Sequence, residues 1–292
     1  MTKNPIVFDL FNETHFSEAI CTSLGYIPGK SSIHHFPDEE ILINIETPVK
    51  NKSVLVIASL DRPNNKIATL VFAAETLREL GANKIILIAP YLAYMRQDIQ
   101  FHEGEGITSK YFAKLLSTYF DALITIDPHL HRWHSLSDIF TIPTTLLHAT
   151  QAIADWINKN VSQAVLIGPD RESTQWVAEI AKISGIPYLI VEKTRKGDTE
   201  VSATIPQLEL YPNHHPIIID DIISTGVTLI ETIHHIQAYG IKSITCIGVH
   251  AIFANDAYQR LLKTGIKDIV TCNTITHPSN QIDLSQLIIK TF

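Results

Sequence analysis

Short apolar runs rich in β-branched residues alternate along this chain with longer amphipathic stretches, and that alternation restricts the folds open to it. KSVLVIAS (52–59) leads into IATLVFAAETLRELG (67–81), whose apolar residues recur at helical spacing up to a closing Gly81. KIILIAP (84–90), a polar loop, the amphipathic TSKYFAKLLSTYF (108–120) and ALITID (122–127) follow. PIVFDL (5–10) and a helix near 14–24 open the series. Repeated strand–helix–strand units predict a mostly parallel sheet flanked by helices.

The pattern then restarts. Helices are predicted over 149–160, 173–185 and 227–240, and strands over 164–169, 186–193, 216–220, 243–253 and 268–275. The 292 residues suffice for two cores. The boundary is expected within 142–150, giving domains 1–147 and 148–292 of similar architecture, with the last residues packing back on the first domain.

Composition removes several function classes. The formal charge is −7, so the chain lacks the basic field that nucleic-acid binding requires. Cys21, Cys246 and Cys272 are odd in number and far apart, which fits neither a disulfide framework nor a metal knuckle. Reduced, mostly buried thiols and a cytoplasmic location are expected. Pro5, Asp9 and Glu13 come too early for a secretory signal, and no apolar run of membrane-spanning length occurs. A soluble protein with no membrane partner is expected.

Five polar clusters, at 90–98, 127–134, 168–173, 192–198 and 220–228, each follow a predicted strand. Ligands of open parallel sheets collect at the carboxyl ends of the strands, so the clusters predict one functional edge per domain. The most informative is IIIDDIISTGVT (217–228). Backbone N–H groups over Ser224, Thr225, Gly226, Val227 and Thr228, with their hydroxyls, would meet the positive end of the next helix and suit a phosphate. Asp220 and Asp221 would repel a phosphate but accept from sugar hydroxyls or bind a divalent cation. A phosphorylated sugar satisfies both halves. The bland alternative is an ordinary helix cap with incidental acids.

This stretch resembles the phosphoribosyl-diphosphate motif of type I phosphoribosyltransferases and of ribose-phosphate pyrophosphokinases. Other segments are similar to the pyrophosphokinase branch, in order, over nearly the whole chain. PYLAYMRQD (90–98) resembles its ATP-binding segment, which implies roles for Arg96, Gln97 and Asp98. FPDEE (36–40) resembles a loop reaching the adenine of a neighbouring subunit through Phe36, Asp38 and Glu40. TIDPHLHRWH (125–134) is similar to the segment whose histidine, here His129, helps hold magnesium. GPDRES (168–173) matches the pyrophosphate-facing loop around Asp170, and EKTRKGD (192–198) the catalytic loop with Lys193 and Arg195. The resemblance implies two type I phosphoribosyltransferase-like domains, the first for ATP and the second for ribose 5-phosphate. It also implies Mg²⁺, at least a homodimer, and diphosphoryl transfer from ATP to the sugar.

The chain departs from that pattern in places. Ser224 stands in the phosphate turn, Pro128 precedes His129, and Arg171-Glu172-Ser173 replaces small residues. IQFHEGEGITSK (99–110) lacks the family's strongly basic composition there, so phosphate activation and ADP inhibition at a separate site are not expected. His129, His131 and His134 also allow a zinc reading, although their spacing without cysteine or an acid pair is weak for it. A phosphoribosyltransferase and a non-catalytic regulatory relative are the competing functions. The ATP-side segments argue against the first, and the retained Lys193, Arg195 and aspartates against the second.

Overall fold

The computed structural model describes residues 5–11, 15–196 and 200–292, with the side chains of 193–203 outside the description. It resolves into two compact units, one of Met1–Leu147 with Ser285–Phe292 and one of His148–Leu284.

In the first unit the elements run β1 (Ile6–Asp9), α1 (Phe16–Leu24), β2 (Ile27–Pro28), β3 (Ser31–His35), β4 (Ile41–Ile45) and β5 (Ser53–Ile57). They continue with α2 (Ile67–Glu79), β6 (Lys84–Ala89), α3 (Thr108–Tyr119), β7 (Ala122–Ile126) and β8 (Thr144–Leu147). Six strands form one sheet in the order β2-β1-β5-β6-β7-β8, every pair parallel. Its central strands are covered on both faces: Val54, Leu55, Val56 and Ile57 are all buried, as are Ile85 to Ala89. Each such side chain contributes roughly 1.5–3 kcal/mol by leaving water. Strands β3 and β4 leave this sheet as an antiparallel hairpin, with Ser31 opposite Ile45 and His35 opposite Ile41.

The second unit repeats the plan. Its elements are α4 (Thr150–Asn160), β9 (Ala164–Gly168), α5 (Thr174–Ser184), β10 (Tyr188–Ile190), β11 (Glu192–Lys196) and β12 (Glu200–Thr204). Then come β13 (His215–Ile223), α6 (Val227–Ala238), β14 (Thr245–Ala251), α7 (Ala257–Lys263), β15 (Asp268–Cys272) and β16 (Asn280–Ile282). The sheet order β10-β9-β13-β14-β15-β16 is again entirely parallel. Among the described residues strands β11 and β12 pair only with each other, as an antiparallel ribbon. The last helix, α8 (Ser285–Ile289), belongs to the first unit, where it packs against α1 and Phe292 meets the edge of Tyr26 at 5.9 Å. Each unit is therefore an α/β domain with a parallel sheet flanked by helices, as the repeated strand–helix pattern predicts. Among the described residues no helix is long and apolar enough to cross a membrane. Cys246 and Cys272 are buried and Cys21 is half-buried, and none of the three is in a disulfide; burial pushes the Cys246 thiol up to about 12.

Two departures from the sequence expectation bear on the candidate site. The apolar run at 186–193 is not one strand. The sheet strand stops at Ile190, and Glu192 to Lys196 swing into the separate ribbon. Strand β13 conversely outruns its expected end at Asp220, because Ile222 and Ile223 are buried and pair with His250 and Ala251. That extension is possible because β14 carries Gly248 opposite Asp220. A Cβ there would lie 2.6 Å from Cγ1 of Ile223. Gly248→Ala should therefore cost about 1–3 kcal/mol through overpacking, read as a lowered urea midpoint with an unchanged m-value.

Candidate functional site

In the second unit the carboxyl ends of β9 and β13 converge on three acids. Asp170 follows β9, and one of its carboxylate oxygens accepts the backbone N–H groups of Glu172 and Ser173, both at 3.0 Å. Ser173 Oγ donates to the Asp170 carbonyl at 2.7 Å, fixing the turn before α5. Asp220 and Asp221 lie half-buried near the end of β13, where the Asp221 N–H donates to an Asp220 carboxylate oxygen at 3.1 Å. Burial, then the charges of Asp221 and Asp170, hold the Asp220 carboxyl well above the usual carboxylate range.

The chain then turns over Ser224 and Thr225 to Gly226, which caps α6 with φ of +71°. A β-carbon at 226 would be strained by that backbone and would press on Leu261 at 3.3 Å. Among the described residues no side chain caps α6, and the N–H groups of its first turn have no intrahelical acceptor. These donors, with the exposed Thr225 and half-exposed Ser224 and Thr228, form a nest suited to a dianion. Val227 is exposed at the helix start.

Lys193 and Arg195 lie on ribbon strand β11, in register with Ala203 and Val201 of β12. The segment therefore has regular strand pairing rather than the irregular loop its composition suggests; the two side chains lie outside the described residues.

In the first unit the loop after β6 exposes Arg96 and Gln97. Asp98 differs from them: it is buried, and both the backbone N–H and a guanidinium nitrogen of Arg132 donate to it, at 3.2 and 2.8 Å. Its place is that of an anchor, tying the loop after β6 to the loop after β7 that carries His129. The His129 ring lies 4.6 Å from that of His131. Phe36, Asp38 and Glu40 occupy the exposed tip of the β3–β4 hairpin. Phe36 N–H donates to the Glu40 carbonyl at 2.8 Å, and its ring, 42% exposed, stands edge-on to His34.

The sequence reading missed the Arg132 anchor and a buried ion pair after β5. Lys66 Nζ donates to Asp61 at 2.7 Å and to the Ser59 carbonyl at 2.9 Å. Proximity of Arg132 to His129 along the chain was the one local sign of the first, while Lys66 looked like any lysine before a helix.

Among the described residues, no group of three or more histidine, cysteine, aspartate or glutamate side chains is arranged to enclose a metal ion. The acids nevertheless suit Mg²⁺, which keeps several waters and needs few protein ligands beside substrate phosphates. A divalent cation would relieve the mutual repulsion of Asp170, Asp220 and Asp221. A cleft of about 670 Å³ in the second unit lies at the opposite edge, lined among others by His214, His215, Tyr239 and Lys242, and holds none of the site residues.

Comparison with known proteins gives a consistent picture. Residues 6–119 match the family model for the N-terminal domain of ribose phosphate pyrophosphokinase, and residues 135–286 match that of the phosphoribosyl transferase domain. The chain is 34% identical over 251 residues to a ribose-phosphate pyrophosphokinase of Sulfurisphaera tokodaii, covering 85% of each chain. It is 30% identical over 287 residues to that of Methanobrevibacter smithii, covering 94% of each. The crystal structure of phosphoribosylpyrophosphate synthetase from Mycobacterium smegmatis has the same fold, with a TM-score of 0.84 at 21% identity over 99% of this chain and 97% of that one.

The acid cluster predicts a pH signature. An unfolded aspartate releases its proton near pH 3.9, about where Asp220 would without its surroundings. Above that pH the unfolded chain ionises while the folded chain holds the proton, so this group's contribution to stability falls as pH rises toward the raised folded value. The ligand-free Asp220→Asn variant should melt above the native protein at pH 7, with the difference vanishing by about pH 4. Differential scanning calorimetry across that range reads this directly, and equal melting at pH 7 would refute it.

Proposed function

Because this chain belongs to the ribose-phosphate pyrophosphokinase family, we propose that it transfers the β,γ-diphosphoryl group of ATP to the 1-hydroxyl of D-ribose 5-phosphate. The products are 5-phospho-α-D-ribose 1-diphosphate and AMP. The observation that carries this reading is the acid pair Asp220–Asp221 running into the uncapped, glycine-started N-terminus of α6. It offers acceptors for ribose hydroxyls beside donors for the 5-phosphate.

Each residue has a role in this reading. Ser224 to Thr228 bind the 5-phosphate through backbone N–H and hydroxyl groups. Asp220 and Asp221 orient the ribose by accepting from its hydroxyls, which holds the 1-hydroxyl in a fixed position for attack on the β-phosphorus. Lys193 and Arg195 neutralise the charge that develops on the transferring group. Arg96 and Gln97 contact the triphosphate, with Asp98 supporting them through Arg132. Phe36, Asp38 and Glu40 receive the adenine of a neighbouring subunit; the exposure of Phe36 in a single copy supports that placement and a homodimer as the least assembly. His129 and Asp170 each offer a ligand for Mg²⁺, directly or through water. When bound, the cation screens the phosphate oxygens and polarises the attacked phosphorus. We place the enzyme in the cytoplasm and, because the 99–110 segment carries Lys110 against Glu103 and Glu105, propose that it lacks a separate phosphate-activated site.

Purified protein with ATP, Mg²⁺ and ribose 5-phosphate should yield AMP and phosphoribosyl diphosphate in equal amounts. Failure to form either across varied metals and phosphate would reject the proposal. Lys193→Ala should lower kcat about 100-fold while ribose 5-phosphate still binds. Asp221→Ala should weaken ribose 5-phosphate binding roughly tenfold with ATP affinity kept, as calorimetric titration would show. Unchanged sugar-phosphate binding would remove Asp221 from the site.

A further inference from the structure

The phosphate turn of the second unit is braced from outside by a segment that neither the sequence motifs nor the acid cluster includes. Strand β14 ends at Ala251, and the chain continues over Ile252 to Asn255 before α7. Within this bend the N–H of Phe253 donates to the Ile223 carbonyl at 2.9 Å, and that of Ala254 to the Ser224 carbonyl at 3.1 Å. These are the last two carbonyls before the centre of the turn. In a planar trans peptide the C=O and the following N–H point in opposite directions. Holding the carbonyls of 223 and 224 against the bend therefore turns the N–H groups of Ser224 and Thr225 away from it, toward the space where an anion would sit.

The bend needs an unusual backbone to do this. Phe253 has φ of +40° and Asn255 φ of +56°. Asparagine tolerates that region, whereas phenylalanine is strained there. Strain of this kind persists only where the surroundings over-determine it, and here they do. Phe253 is only 6% exposed, its ring centroid 4.5 Å from that of His277 and 5.0 Å from that of Tyr258, which themselves lie 4.7 Å apart. His277 is fixed in turn: its Nδ1 accepts the Ser279 N–H at 3.2 Å and lies 2.7 Å from Ser279 Oγ, which meets Thr271 Oγ1 at 2.7 Å. Ala257 and Leu261 of α7, the helix that follows the bend, close the outer side of Gly226.

We propose that Phe253, locked by Tyr258 and His277, is a positioning residue for the sugar phosphate: it aims the N–H donors of the turn without touching the ligand. The inference rests on the reading of 224–228 as the 5-phosphate cradle. It predicts an effect confined to one substrate. Phe253→Ala in the full-length protein should raise the KM for ribose 5-phosphate and the Kd for ribose 5-phosphate in calorimetric titration at least about tenfold, one unmade charge-assisted bond's worth. The KM for ATP should change less than about twofold, the noise expected for a site with no shared partner. Phe253→Tyr, which keeps the ring stack, should restore ribose 5-phosphate affinity. If Phe253→Ala does not fold, Tyr258→Leu, which loosens the same ring, should show the same selective loss.

The outcomes separate the two ideas. Native protein that binds no ribose 5-phosphate by calorimetry overturns the cradle and the brace together. Native protein that binds it, with variants that bind equally well or lose ATP and sugar phosphate alike, overturns the brace alone. Selective loss of the sugar phosphate, recovered by tyrosine, supports it.

Discussion

Strand β13 is held on both edges and both faces, and the candidate site hangs from its end. β9 pairs with its first half, His215 to Ile218, and β14 with the stretch from Ile217 to Ile223, while Ile217, Ile218 and Ile219 are fully buried between the helical layers. A one-residue slip would carry the Asp220 carboxyl into the fully buried position of Ile219, which fixes the register. The position of Asp220 and Asp221 at the sheet's edge is thus set by hydrophobic burial upstream of them. The cost appears at Asp220, whose carboxyl is driven up by burial and by two neighbouring acids. The paired strands hold the three acids together despite the cost of burying and crowding them.

The first unit solves the same topological position differently. β5 sits in its sheet where β13 sits in the second, each followed by a loop and a helix, α2 and α6. In the second unit the loop leaves its N–H donors open. In the first, the loop after β5 is filled from within by the Lys66–Asp61 pair, which closes onto the Ser59 carbonyl. A buried pair of this kind stabilises little in net terms but is costly to break on one side, so it holds the loop in one shape. Two similar domains can therefore carry different ligand chemistry while sharing one architecture.

Much of the fold was legible because it is local. Period-2 and period-3.6 patterns marked nearly every central strand and long helix, and glycines marked ends such as Gly185, which caps α5 in the left-handed region. The short edge elements were not legible: β2, the β3–β4 hairpin, β8, β16 and α7 are too brief or too exposed to carry a periodic signal. The split of 186–193 was hidden for another reason, since Glu192 to Lys196 is strand by conformation but pairs with β12 rather than the sheet.

The sequence by itself determined the doubly repeated α/β plan and the gathering of polar clusters after its strands, because both depend on neighbours along the chain. It also marked the acid pair and the glycine turn, whose chemistry is written in consecutive residues. Tertiary structure alone decided that Asp98 anchors Arg132, 34 residues away, instead of standing free beside Arg96. It alone bent Phe253 into a strained conformation under His277 and Tyr258 and so braced a turn 30 positions earlier. Such contacts join side chains that share no period and no motif. Only the packing of strands and helices against one another brings them within bonding distance.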